Sequence, residues 1–187
     1  SPVKLTADSG FTTVSALGGP VTIEQEKGSV TLEQCKRDVG ELRVTIQEGD
    51  VTATDCAGPL NVTTRQGSIK TVGVTGKQVL VADGGRTTVE LPKGELDVRS
   101  VGGDIFVLAY DGVLGDYKVN AEKGDINLLV PDTADATLFV TSVNGQVNSK
   151  VRLTGSVQGE RREFNGPIGA GKFRVDLGVT GGNINID

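Results

Sequence analysis

Glycine recurs along this chain on a beat of nine residues, and that beat restricts the fold more than any other property of the sequence. The unit is Gly, any residue, apolar, any residue, apolar, as in Gly28-Ser-Val-Thr-Leu, Gly40-Glu-Leu-Arg-Val, Gly103-Asp-Ile-Phe-Val and Gly182-Asn-Ile-Asn-Ile. The units sort into two classes. Those beginning at 10, 28, 49, 67, 85, 103, 124 and 145 form face A, and those at 19, 40, 58, 76, 94, 115 and 136 form face B. From a B unit to the next A unit the step is always 9; from A to B it is 9 or 12, until the last step, from 145 to 171, which is 26. One corner is therefore fixed while the other takes every insertion. A winding column of two-strand coils behaves this way, with extra residues bulging along one edge.

The expected fold is all-β: a right-handed parallel β-solenoid with two strands in each coil of 18 or 21 residues. The hand follows from the near-universal right-handedness of parallel crossovers. About eight coils at the usual strand spacing make a rod on the order of 40 Å long. Side chains two apart share a face of a strand, so the second and fourth residues after each Gly point the same way. Val30 and Leu32, Ile105 and Val107, Leu42 and Val44, Leu96 and Val98 occupy these columns, which are apolar and face inward. Intervening positions are mostly Thr, Glu, Lys, Arg, Asp or Asn and face water. The unit at 76 fits poorly, because Val79 and Val81 fall on the outward register, which suggests a bulge.

At 187 residues the chain reads as a single domain, 1–187, with one long inserted loop at about 153–170. The net charge of -5 and the lack of any Lys/Arg run argue against nucleic acid and anionic membranes as partners. No stretch reaches the roughly 18 apolar residues of a spanning helix, so membrane insertion by this segment is not expected. The chain opens at Ser1-Pro2 without Met, which reads as a processed fragment separated from any targeting segment or anchor.

Cys35 and Cys56 are 21 residues apart, which is one coil, in a column shared with Leu17 and Val74. Vertical neighbours lie inside the Cα window of a disulfide, although in-register partners are often strained. Two small buried hydrophobes fit equally well. A metal site is not expected from two thiols without His, and no cofactor is expected.

Asp50, Asp104, Asp116 and Asp125 each follow a repeat Gly and read as turn-forming carboxylates, since Ser29, Ser68, Arg86 and Gln146 interrupt any continuous acidic ladder. The corner that takes insertions carries Asp111, Asp116, Asp132 and Asp135 on adjacent coils. Paired carboxylates there define the rival reading, a polysaccharide-active β-helix enzyme. Such enzymes offer aromatic sugar platforms and clustered acids and bases; this chain has no Trp or His and only Tyr110 and Tyr117 as tyrosines. Phe106, Leu108 and Leu129 fall on outward positions of adjacent coils and mark an apolar patch, either covered by the loop carrying Phe164 or open to a partner. The final unit, ending Asn185-Ile-Asp187, reads as an open strand edge prone to end-to-end self-association.

Val98-Arg-Ser-Val-Gly-Gly-Asp-Ile105, Asn120-Ala-Glu-Lys-Gly-Asp-Ile126, Val140-Thr-Ser-Val-Asn-Gly-Gln-Val147 and Leu129-Val-Pro-Asp-Thr-Ala-Asp-Ala136 resemble the bacterial adhesin-like β-helix domains, a family without assigned biochemistry. The resemblance spans nearly the whole chain. It implies a non-catalytic binding or structural scaffold, extracytoplasmic and at a cell surface or secreted, with a protein or glycan as partner. It supplies no catalytic residues.

Overall fold

A computed structural model describes residues 2–16, 18–35 and 40–187. They contain no helix, and the strands form one parallel β-solenoid. In the first three coils one strand serves both faces, bending at the shared Gly: β1 (Val3–Ser15), β2 (Val21–Glu33) and β3 (Leu42–Thr54). Thereafter each coil splits. Face B continues through β4 (Leu60–Gln66), β6 (Gln78–Ala82), β8 (Leu96–Ser100) and β10 (Tyr117–Ala121). Face A continues through β5 (Ile69–Val72), β7 (Thr87–Glu90), β9 (Ile105–Leu108) and β11 (Ile126–Leu129). Partners are 18 or 21 residues apart, as in Val51↔Ile69 and Ile126↔Ile105. The number of coils differs slightly from the eight expected.

The inward columns are those the alternation indicates. Val30, Leu32, Leu42, Leu60, Val98, Ile105 and Ile126 are all 0% exposed. Removing each such side chain from water contributes roughly 1.5–3 kcal/mol. The inserting corner is turned by one left-handed residue per coil: Ala16, Gln34, Asp55, Gly73 and Leu91 all have φ between 49° and 63°.

The C-terminal third departs from sequential stacking. β12 (Ala136–Val143) and β13 (Val147–Ser149) do not lie directly on β10 and β11. The expected loop at 153–170 is a β-hairpin, β14 (Thr154–Gln158) and β15 (Arg161–Ile168), and β15 runs antiparallel along β12. The chain then turns back, and β16 (Phe173–Thr180) and β17 (Ile184–Ile186) fill the vacant rung. β16 pairs with β10 on one side and β12 on the other; β17 pairs with β11 and β13. Contacts here are 58 and 37 residues apart, as in Ile126↔Ile184↔Val147. The expectation of an open edge at Asn185-Ile-Asp187 is therefore corrected: this strand is an interior one. A column of amides ties it in, with Asn185 Nδ2 donating to Asn127 Oδ1 and Asn148 Nδ2 to Asn185 Oδ1, both at 2.9 Å.

The expected bulge at unit 76 is also absent. β6 keeps an unbroken register, Leu60↔Gln78↔Leu96 and Val62↔Leu80↔Val98. The irregularity lies in residue choice: Gln78 occupies the inward column, fully buried, and neither its Nε2 nor its Oε1 has a hydrogen-bond partner among the described residues. An unpaired buried amide costs about 1–3 kcal/mol on mutational scales. Gln78→Leu, matching Leu60 and Leu96, is expected to stabilise the fold by about that amount. Urea denaturation of the variant beside wild type checks it.

Candidate functional site

A concave surface lies on the outer side of face B, where five strands meet in the order β6, β8, β10, β16 and β12. Two outward columns form its floor. One runs Val79, Asp97, Lys118, Asp176, Phe139, and the next runs Val81, Arg99, Asn120, Gly178, Thr141. The groove has a volume of about 780 Å³, and Arg161 of the hairpin contributes to its wall. Gly178 makes the notch: it stands mid-strand on an outward position, and a Cβ there would lie 2.6 Å from Asn120 Oδ1. Glycine inside a strand often marks such a close approach.

The groove mixes aliphatic and charged surface. Val79 and Val81 give an apolar, half-buried stretch at one end. At the other, the Arg174 guanidinium lies over the Phe139 ring, 4.0 Å from its centroid, held by two bonds to Asp176 at 2.7 and 2.8 Å. That pairing raises the guanidinium pKa further above its ordinary value. Arg99 pairs with Glu122 at 2.8 Å. Among the described residues Lys118 and Asp97 form no ion pair, so their heads are free to meet a polar ligand. The outward Val79 and Val81 are visible in the sequence. Gly178 and Phe139 are not, because nothing local indicates that their strands become neighbours of Lys118 and Asn120.

The acids of the inserting corner stand in two kinds of surroundings. Asp111 and Asp132 are exposed. Asp116 Oδ1 accepts the Arg174 backbone N–H at 2.8 Å, and Asp135 Oδ1 accepts that of Lys172 at 3.0 Å. The acids after the repeat glycines act alike: Asp50 accepts from the Ser68 N–H (2.7 Å), Asp104 from Asp125 (2.9 Å) and Asp125 from Asn183 (2.7 Å). Each of these five carboxylates, Asp50, Asp104, Asp116, Asp125 and Asp135, thus accepts a backbone N–H of the adjacent rung. Among the described residues no three His, Cys, Asp or Glu side chains gather closely enough to hold a metal ion.

Phe106, Leu108 and Leu129 do share the outer side of face A, with Leu108↔Leu129 in register. They are half-buried, and the Arg86 guanidinium lies over Phe106 at 5.0 Å. The hairpin extends face B beside β12, so Phe164 packs there and does not cover this patch. The expectation of a loop cover is corrected accordingly.

Cys35 and Cys56 occupy adjacent coils at the inserting corner, where the Ala57 N–H donates to the Cys35 carbonyl at 2.9 Å. Both thiols are buried, and the structure carries them as free cysteines on neighbouring coils. Val74 follows in the same buried column, whereas Leu17 lies outside the described residues. Burial, with Cys56 adjacent, pushes the Cys35 thiol up from its ordinary 9.0 to about 12. It is thus protonated and unreactive at neutral pH.

No helix among the described residues is long and apolar enough to cross a membrane. Comparison with curated proteins and with solved structures finds no match. The family model Toastrack DUF4097, a domain of unknown function, matches residues 3–187, and the chain belongs to that family.

Proposed function

We propose that this β-solenoid is a non-catalytic, adhesin-like binding scaffold that works outside the cytoplasm, at a cell surface or in secreted form, and that its ligand, a protein or a glycan, lies in the face B groove. The observation that carries the reading is the groove itself. Five strands hold an apolar end beside charged heads, and Gly178, lacking a side chain, lets Asn120 lie flat across the centre of the groove. Rigid floors of this kind bind without paying to order a loop. The corner carboxylates support a non-catalytic role, since Asp116 and Asp135 are engaged with backbone N–H groups.

The experiment is a glycan and surface-protein binding screen run beside a polysaccharide hydrolysis assay. Binding without turnover is expected. Gly178→Leu, which fills the notch and asks only the flexible Asn120 side chain to move, should weaken that binding about tenfold or more with little change in melting temperature. Turnover by the wild-type chain would replace the scaffold reading with the enzyme one. Binding untouched by Gly178→Leu would remove the groove from the proposal.

A further inference from the structure

The chain holds two cysteines among 187 residues, and the fold sets them one above the other. The Ala57 N–H donates to the Cys35 carbonyl at 2.9 Å and the Thr75 N–H to the Cys56 carbonyl at 2.8 Å, so Cys35, Cys56 and Val74 form one column in parallel register. Only one position above Cys35 and one below it are in such register, and the second cysteine takes one of them. Both side chains are buried, at 2% and 1% exposure. Packing alone does not require sulfur there, because Val74 fills the next position of the column at 0% exposure.

The two thiols lie in matching attitudes. Each stands against the carbonyl two residues before it: Cys35 Sγ is 3.9 Å from the Glu33 oxygen, and Cys56 Sγ is 3.6 Å from the Thr54 oxygen. In-register neighbours on paired strands have Cα atoms about 4.8 Å apart, inside the roughly 4.4–6.8 Å window of a disulfide, so side-chain rotation brings the sulfurs together. The pair also stands where coils change length. Cys35 enters a corner on the 12-residue step from Gly28 to Gly40, and Cys56 enters one on the 9-residue step from Gly49 to Gly58. A covalent link at this common entrance fixes the spacing of the coils before the two corners diverge.

We propose that Cys35 and Cys56 are a modification site, a pair that forms one intrachain disulfide when the chain folds beside a disulfide oxidant. The step balances as thiol–disulfide exchange. One cysteine, as thiolate, attacks a small disulfide of the glutathione class and releases one small thiol. The second cysteine attacks the mixed disulfide, the bond between Cys35 Sγ and Cys56 Sγ forms, and a second small thiol leaves. The protein gives up two protons and two electrons, and the small disulfide takes them up. Exchange belongs to the folding chain and not to the finished one. Once the coil closes, burial keeps Cys35 protonated, and neither sulfur is open to attack. That a natural chain meets such an oxidant rests on the extracytoplasmic reading above. The pairing itself is independent of the groove, which neither thiol lines.

Refolding the full chain from urea in a glutathione redox buffer tests it. Alkylation followed by mass measurement is expected to find no free thiol and a chain lighter by two hydrogens. Peptide mapping should join the Cys35 segment to the Cys56 segment. The oxidised chain should melt about 5–10 °C above the reduced one. Combining Cys35→Val with Cys56→Val copies Val74 at both positions, which keeps the packing and removes the bond. That variant should melt within a few degrees of reduced wild type and gain nothing from the redox buffer. Oxidised glutathione added to the folded, reduced chain should act about tenfold or more slowly than on the refolding chain; equal rates would overturn the assignment of exchange to the folding chain. Because the buffer supplies the oxidant, a different compartment leaves this result unchanged, and a failed pairing leaves the groove unchanged. Thiols that stay free after oxidative refolding, links between chains in place of one within the chain, or an oxidised chain no more heat-resistant than the reduced one would each overturn the proposal.

Discussion

Gly49→Ala is expected to destabilise the fold by about 4 kcal/mol or more, against about 1–3 kcal/mol for Gly10→Ala. Both residues have positive φ, +146° and +124°, so both variants bear the backbone strain. They differ in what a methyl group meets. At Gly10 there is nothing within 4 Å. At Gly49 the methyl group collides with the Gly28 carbonyl oxygen of the coil below and crowds the Ile46 side chain at 3.0 Å. A backbone carbonyl cannot swing aside. Relief requires the coils to part, which breaks the β2–β3 ladder and opens the contact between Val30 and Val51. Chemical denaturation of the two variants separates strain from stacking. Equal losses would show that the close glycine contact is dispensable. The same contact repeats at the other face A corners, and there it reports the order of coils: a methyl group on Gly182 meets the Gly124 oxygen, and one on Gly145 meets the Gly182 oxygen.

Removing residues 173–187 is expected to release everything from Ala136 to Ile168, although those residues precede the cut. In a sequentially stacked repeat protein, loss of the last unit exposes only the unit before it. Here β16 and β17 are the middle rung of residues 117–187, and among the described residues they supply the only parallel partners of β12 and β13. Hydrogen exchange should show lost protection across 136–168, while coils from Val21 to Leu108 keep theirs. The single substitution Ile184→Ala, at a fully buried position between Ile126 and Val147, should cost about 2–5 kcal/mol. Retained protection in 136–168 after the deletion would mean that β12 can settle directly onto β10, and that the threaded order is not required.

Much of this fold is legible in the sequence because each coil repeats one instruction. Glycine marks the corner, alternation marks the inside, and a spacing of 18 or 21 names the neighbour. Val21, Ile23, Val30 and Leu32 could be assigned to the core from that rule alone. The rule names a neighbour only while coils stack in chain order. The units at Gly171 and Gly182 look like any others, so alternation shows which way Val175 and Ile184 point but not which strands flank them. The 26-residue step before Gly171 signals the departure without saying where the chain goes. The hairpin carries a local signal, since Gly159, with φ of +60°, is the first of two residues joining strands that end at Gln158 and begin at Arg161. The groove is less visible for the same reason: Lys118 and Asn120 meet Asp176 and Gly178 only through the threading. Gln78 misled differently, its polar character at an inward position suggesting a shifted register where the chain accepts a buried amide instead.

The position of β17 also bears on how the molecule comes into being. A chain leaving the ribosome can wind its coils one upon another as far as Leu129. From there the succession fails, because the rung that rests on β10 and β11 is synthesised after the strands β12 to β15. Residues 136–168 emerge with no parallel ladder to join, and they wait for some fifteen further residues before their own platform exists. In this region a later strand therefore enters between two strands already made, β10 and β12.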